Sequence, residues 1–150
     1  GKFLPREKNH QYYAVLQWLM FQMGGVGPML GQAHHFNVYA DKKIAYAIDR
    51  YVKEANRLHM VMDKQLAENE WMAGKDYSIA DIAIYPWIRS PERKGIDLAN
   101  YPNMQRWFDA CEARAAVKRG VAILSESHKN TNLNPEEKNA MFGDKQFQKR

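Results

Sequence analysis

The chain has 150 residues, 45% of them hydrophobic and 26% charged, with 22 Lys and Arg against 17 Asp and Glu for a net charge of +5. That is one domain's worth of polypeptide with enough apolar content for a core, which excludes wholesale disorder. No apolar run approaches the roughly 20 residues that span a bilayer, and the single cysteine, Cys111, cannot form an internal disulfide, so a reducing cytoplasm is the expected setting.

Residues 1–6 lack the apolar centre of a signal peptide and an initiator Met, as expected of a chain cut from something longer or carrying a cloning scar. From residue 6 to 23, Tyr13, Leu16, Leu19, Met20 and Met23 recur at helical spacing, and Tyr12, Val15, Trp18 and Phe21 widen the apolar face. This predicts a helix with contacts on two sides. It then meets Gly24, Gly25, Val26, Gly27 and Pro28, a run expected to end or sharply kink it. A phosphate-loop reading of that run fails, because no Lys-Ser/Thr follows and no strand precedes; a glycine-allowed kink or close helix approach is the better account.

A second long helix is predicted from Asp41 or a neighbour to about Asn69. Ile44, Ala47, Ile48, Tyr51, Val52, Ala55, Leu58, Met62 and Leu66 form its apolar face, and charged residues fill the other. Arg50 stands out near its middle between Tyr46 and Tyr51. A guanidinium there either holds a ligand carboxylate bidentately or pairs within the helix with Asp49 or Glu54.

Residues 71–76 read as an extended turn whose Trp71 plugs the core. Next comes a helix start written almost in full. Ser78 is spaced to act as N-cap, Asp81 three residues on to close a capping box, and Tyr77 with Ile82 to form a hydrophobic staple. The helix to about Ile88 is apolar on nearly every side and is expected to be buried all round. Ser90-Pro91 and Lys94-Gly95 mark a loop with Ile96 and Leu98 turned inward. Pro102 opens a helix carrying Met104, Trp107, Phe108 and Cys111, and a last short helix is expected from Ala115 to Ser125. Beyond His128 the chain turns irregular and polar, giving a helical domain over residues 1–126 and a polar tail over 127–150. There is no strand-like alternation and no repeat, so the fold class is all-α with about five main helices.

Other chemistry is sparse. Adjacent His34 and His35 point about 100° apart on a helix and cannot share a metal in the usual i, i+4 manner, and His10, His59 and His128 lie far off in sequence. No metal site and no catalytic residue is expected. Cys111 reads as a packed thiol. Residues 118–150 hold seven basic and four acidic residues, which is +3 of the +5. A basic end on a near-neutral body, with no base-stacking or groove-reading motif, argues against nucleic acid.

The run Lys75-Asp76-Tyr77-Ser78-Ile79-Ala80-Asp81-Ile82 resembles the capping-box and staple motif in the C-terminal helical domain of cytosolic glutathione transferases. The run from Gln17 to Gln32 through the glycine-proline motif, with His34-His35-Phe36, the run from Tyr46 to Tyr51, the run from Pro102 to Trp107 and Ala116-Val117-Lys118-Arg119-Gly120, is similar to the bacterial nu-class branch in the same order. Residues 1–5 resemble its interdomain linker. The resemblance implies a homodimer that takes glutathione or glutathione disulfide as cosubstrate for disulfide or peroxide reduction or glutathione transfer, with no membrane partner. It assigns Arg50 to a glutathione carboxylate, and Gln17 or Gln22 to a contact across the dimer. It also places the thiol-activating groups in an N-terminal thioredoxin-like domain that these 150 residues do not carry. The alternative is a non-enzymatic, transferase-like helical module serving as a protein-interaction scaffold.

Overall fold

The structure, a computed structural model, describes residues 1–123 and 133–148. Contacts divide the chain into two compact units, Gly1–Arg114 and Ala115–Arg150. Among the described residues there are helices, turns and an isolated bridge between Trp71 and Gly74, and no strand.

In the first unit, helix α1 spans His10–Phe21, and the Asn9 side chain caps it by accepting from the Tyr12 N–H at 3.0 Å. The glycine-proline run does not end this helix. A π-turn over Gln22–Val26 leads directly into α2, Gly27–His34, with helical dihedrals kept at Val26 and Gly27. The reason is the hydrogen-bond register. The Gly27 N–H reaches back five residues to the Gln22 carbonyl, and Pro28 falls in the first turn of α2, where a missing N–H is harmless. A second π-turn, His35–Tyr39, closes the segment, and Lys43 Nζ ties down the Asn37 carbonyl at 2.9 Å.

Gly27 is required for space. A Cβ there would lie 2.8 Å from Gln22 Nε2, 3.2 Å from Trp87 and 3.3 Å from the Gln22 carbonyl, whereas a Cβ on Gly24 would meet nothing within 4 Å. Gly27→Ala is therefore expected to cost about 1–2 kcal/mol through overpacking. Gly24→Ala should gain about 0.5–1 kcal/mol by restricting the unfolded chain. Urea midpoints of the two variants should move in opposite directions, and movement in the same direction would refute the close approach.

Helix α3, Ala45–Glu68, begins later than Asp41, with Ile44 at its N-cap position, and it turns Ala55, Leu58, His59, Met62 and Leu66 into the core. Helix α4, Ile79–Ile88, carries the Ser78–Asp81 capping box. It is not buried all round: Ile82 and Trp87 are 43% and 37% exposed. Tyr77 packs on Phe3 and Trp71, with the Arg114 guanidinium 3.7 Å from its ring centroid. Phe3 also lends its carbonyl to the Ile79 N–H at 3.0 Å, so the N-terminal segment helps to cap α4.

Helix α5, Pro102–Ala113, buries Met104, Trp107 and Cys111. It and α3 finish each other's ends. Asp63 of α3 accepts from the Asn103 and Met104 N–H groups at the start of α5, at 2.8 and 3.0 Å. Arg106 of α5 donates to the Leu66 and Asn69 carbonyls at the end of α3, at 2.8 and 2.9 Å. Acid at a helix start and base at a helix end also suit the helix dipoles. Ile96 and Leu98 between α4 and α5 are buried, as their placement in the loop predicts.

The second unit holds α6, Ala115–Ala122, and α7, Pro135–Phe142. The expectation of a last helix reaching Ser125 ends outside the described residues. Helix α7 lies where the sequence suggests an irregular tail. Its start is a local device, with Asn134 and Glu137 exchanging side-chain-to-backbone bonds at 2.9 and 2.8 Å.

Candidate functional site

At the heart of the first unit is Asp81, fully buried at the start of α4. One carboxylate oxygen accepts from the Met72 N–H and from Trp107 Nε1–H, each at 2.8 Å. The other accepts from the Ser78 N–H at 2.9 Å and the Ser78 hydroxyl at 3.1 Å. Four donors and a helix N-terminus stabilise the buried charge. Nothing here touches solvent, so this is a structural centre.

The surface of α3 is different. Arg50, Glu54, Arg57 and Val61 fall three and four residues apart and so share one stripe. Both acidic candidates for an intrahelical pair with Arg50 are taken. Asp49 accepts from Lys53 at 2.8 Å, and Glu54 accepts from both ends of the Arg57 fork at 2.8 and 2.7 Å. Arg57 chiefly, with a smaller contribution from Arg50, holds the Glu54 carboxyl below its ordinary range. Among the described residues Arg50 itself has no hydrogen bond or ion pair and stands exposed, its fork free for a planar anion.

The two glutamines occupy different environments. Gln17 is exposed on α1 and lines a cleft of about 350 Å³ with Trp18, Phe21 and Val61. Gln22 is 6% exposed and tucked against Gly27. Val61 lies 11 residues beyond Arg50 on the same helix, about 16 Å along its axis. The described residues of this chain therefore do not bring Gln17 and Arg50 together. Cys111 is fully buried, and burial first, then Asp81, pushes its thiol well above the usual range; it is a packed core group. Among the described residues no three His, Cys, Asp or Glu gather to hold a metal, and no helix is long and apolar enough to cross a membrane.

One cluster escapes a reading by spacing. His34, His59 and Lys94 come from three separate elements, and each of the two imidazoles feels the Lys94 charge. The only sequence signal for it is that His59 falls on the apolar stripe of Ala55, Leu58 and Met62.

The sequence profile of the family "Glutathione S-transferase, C-terminal domain" matches residues 13–115. The chain belongs to that family, and its all-helical first unit is the fold the resemblance implies. Among its relatives is Disulfide-bond oxidoreductase YfcG of Escherichia coli K12, 48% identical over 124 residues that make up 83% of this chain and 56% of that protein. Disulfide-bond oxidoreductase YghU of the same organism is 41% identical, covering 82% of this chain and 45% of the relative. A glutathione transferase family member from Pseudomonas fluorescens pf-5, solved with two glutathione bound, superposes with a TM-score of 0.74 at 43% identity over 81% of this chain and 56% of the other. A glutathione transferase from Pseudomonas putida, solved with one glutathione disulfide per subunit, gives 0.75 at 40% identity over 82% and 56%. The chain thus spans about half the length of the relatives it matches.

Proposed function

We propose that these residues form the helical half of a glutathione-dependent enzyme that reduces disulfides or peroxides or transfers glutathione. The observation that carries this reading is Arg50, a surface guanidinium whose neighbouring acids are both engaged elsewhere. It is free to grip a glutathione carboxylate through two parallel bonds. The names of the relatives and the glutathione or glutathione disulfide bound in the similar structures support it. In this reading the protein works as a cytoplasmic homodimer, without nucleic-acid or membrane partners. Gln17, on the open surface, is better placed than buried Gln22 to reach a glutathione held by the partner subunit. In this reading none of the described residues is catalytic, and a thioredoxin-like half supplies the groups that activate the thiol.

The test compares the complete protein with the 150-residue chain for glutathione-dependent reduction of a small-molecule disulfide. The complete protein should turn over only when glutathione is present. The 150-residue chain should bind glutathione poorly and show turnover near background, since it carries the carboxylate grip and lacks the thiol-activating groups. Absence of glutathione-dependent turnover in the complete protein would defeat the enzyme reading. Comparable turnover by the short chain would defeat the division of labour.

A further inference from the structure

Lys94 follows α4 in the loop toward α5, is only 6% exposed, and donates to the Arg89 and Ser90 carbonyls that end α4. His59 in α3 is fully buried, and its Nδ1 lies 2.8 Å from the Ala55 carbonyl. A carbonyl only accepts, so the proton sits on Nδ1 and Nε2 presents a bare lone pair. That Nε2 and the buried Nε2 of His34 at the end of α2 both lack a hydrogen-bond partner among the described residues. A protonated imidazole at either place would bury an N–H without an acceptor and would feel the Lys94 charge as well.

The elements around this cluster meet closely. The His34 ring lies 4.7 Å from that of Tyr39, and the Tyr101 ring 5.5 Å from that of His59. Phe36 stacks on Tyr51 at 5.4 Å, within 7° of parallel. Gly95 is pressed between neighbours: a Cβ there would sit 2.9 Å from Val52 and 3.2 Å from Asn37. Tyr51 and Val52 directly follow Arg50. The loop that carries Lys94 is thus packed against both the 35–39 turn and the first half of α3.

We propose that His34, His59 and Lys94 form an acid-sensitive latch that holds residues 35–44 and the first turns of α3 in place, and with them Arg50, while both imidazoles are neutral. The consequence for Arg50 rests on the function proposed above. Burial first, then Lys94 and Arg93, lowers His34 to about 4; burial also lowers His59, against its Ala55 bond, and takes Lys94 to about 8. Arg89 and Arg93 add positive charge, and Glu92 is the counter-charge that His34 and Lys94 feel. Above the ordinary histidine value of about 6.5, closed and open forms hold the imidazoles equally neutral. Between about 6.5 and 4 the open form takes up protons that the closed form refuses, so falling pH favours opening.

Imidazole resonances of the 150-residue chain, followed by long-range proton–nitrogen NMR from pH 8 to pH 4, test this together with amide protection over residues 35–51 corrected for intrinsic exchange. His34 and His59 should titrate below 6.5, with amide protection falling at least tenfold over the same interval. In Lys94→Met the imidazole midpoints should rise and opening should move to lower pH; if that variant does not fold, the unmodified chain still decides the matter. Ordinary midpoints for both imidazoles, or unchanged protection while they titrate, would overturn the latch. If the latch opens and the glutathione affinity of the complete protein ignores it, the latch stands and the assignment of Arg50 fails.

Discussion

Asp81→Ala should leave the first unit about 4–5 kcal/mol less stable, a loss that takes a domain of ordinary stability close to unfolding at 25 °C. The magnitude follows from what is left behind. Met72 N–H, Ser78 N–H and Trp107 Nε1–H would remain buried without an acceptor, at about 1–3 kcal/mol each before any relaxation. Lost packing of a small side chain cannot reach that figure. Asp81→Asn separates charge from shape: it keeps the volume but turns one acceptor into a donor facing donors, and should cost about 2–3 kcal/mol. Urea unfolding followed by far-ultraviolet circular dichroism measures both. A loss under about 1 kcal/mol for the alanine variant would mean that the donors find other partners and that Asp81 is not the centre described here.

A double-mutant cycle sharpens the point. Trp107→Phe keeps most of the buried ring and deletes one donor to Asp81. In that background Asp81→Ala should cost less than it does alone, because one orphan has been removed in advance. Additive losses would assign the Trp107 effect to packing.

How much of this could be read from the sequence depends on sequence separation. The Ser78–Asp81 box spans three residues, so its chemistry is visible in the spacing; the same holds for Asn134 and Glu137, where the polar composition of the segment hid a helix start in plain view. The remaining donors to Asp81 lie 9 and 26 residues away, and the reciprocal capping by Asp63 and Arg106 joins residues about 40 apart. No local pattern carries such pairs. The glycine-proline run misleads for another reason. Local rules count an i, i−4 ladder, and the i, i−5 register of the π-turn, seen in the Gly27 bond to Gln22, lets the chain absorb Gly24, Gly25 and Pro28 while remaining helical. For Arg50 the sequence names two possible intrahelical acids and cannot choose between them. Only side-chain geometry shows Asp49 bonded to Lys53 and Glu54 to Arg57.

That geometry makes Arg50→Ala in the complete protein the most informative change at the surface. Glutathione affinity should fall about 10–100-fold, since a charge-assisted pair of bonds contributes about 1.5–3 kcal/mol. Arg50→Lys should recover only part of the loss, because an ammonium restores charge without the planar fork. The unfolding midpoint should stay within about 0.5 kcal/mol of the parent, as expected for an exposed side chain with no partner among the described residues. Added salt should weaken binding by the parent protein more than by the alanine variant, because only the parent brings a guanidinium to a carboxylate near solvent. Titration calorimetry with glutathione and with its disulfide, beside a thermal melt, reads all of these. A drop in affinity at constant stability identifies a ligand grip. A drop in both would make Arg50 a structural residue of α3, and affinity within twofold of the parent would remove Arg50 from the site and leave the cleft beside Gln17 as the place to look.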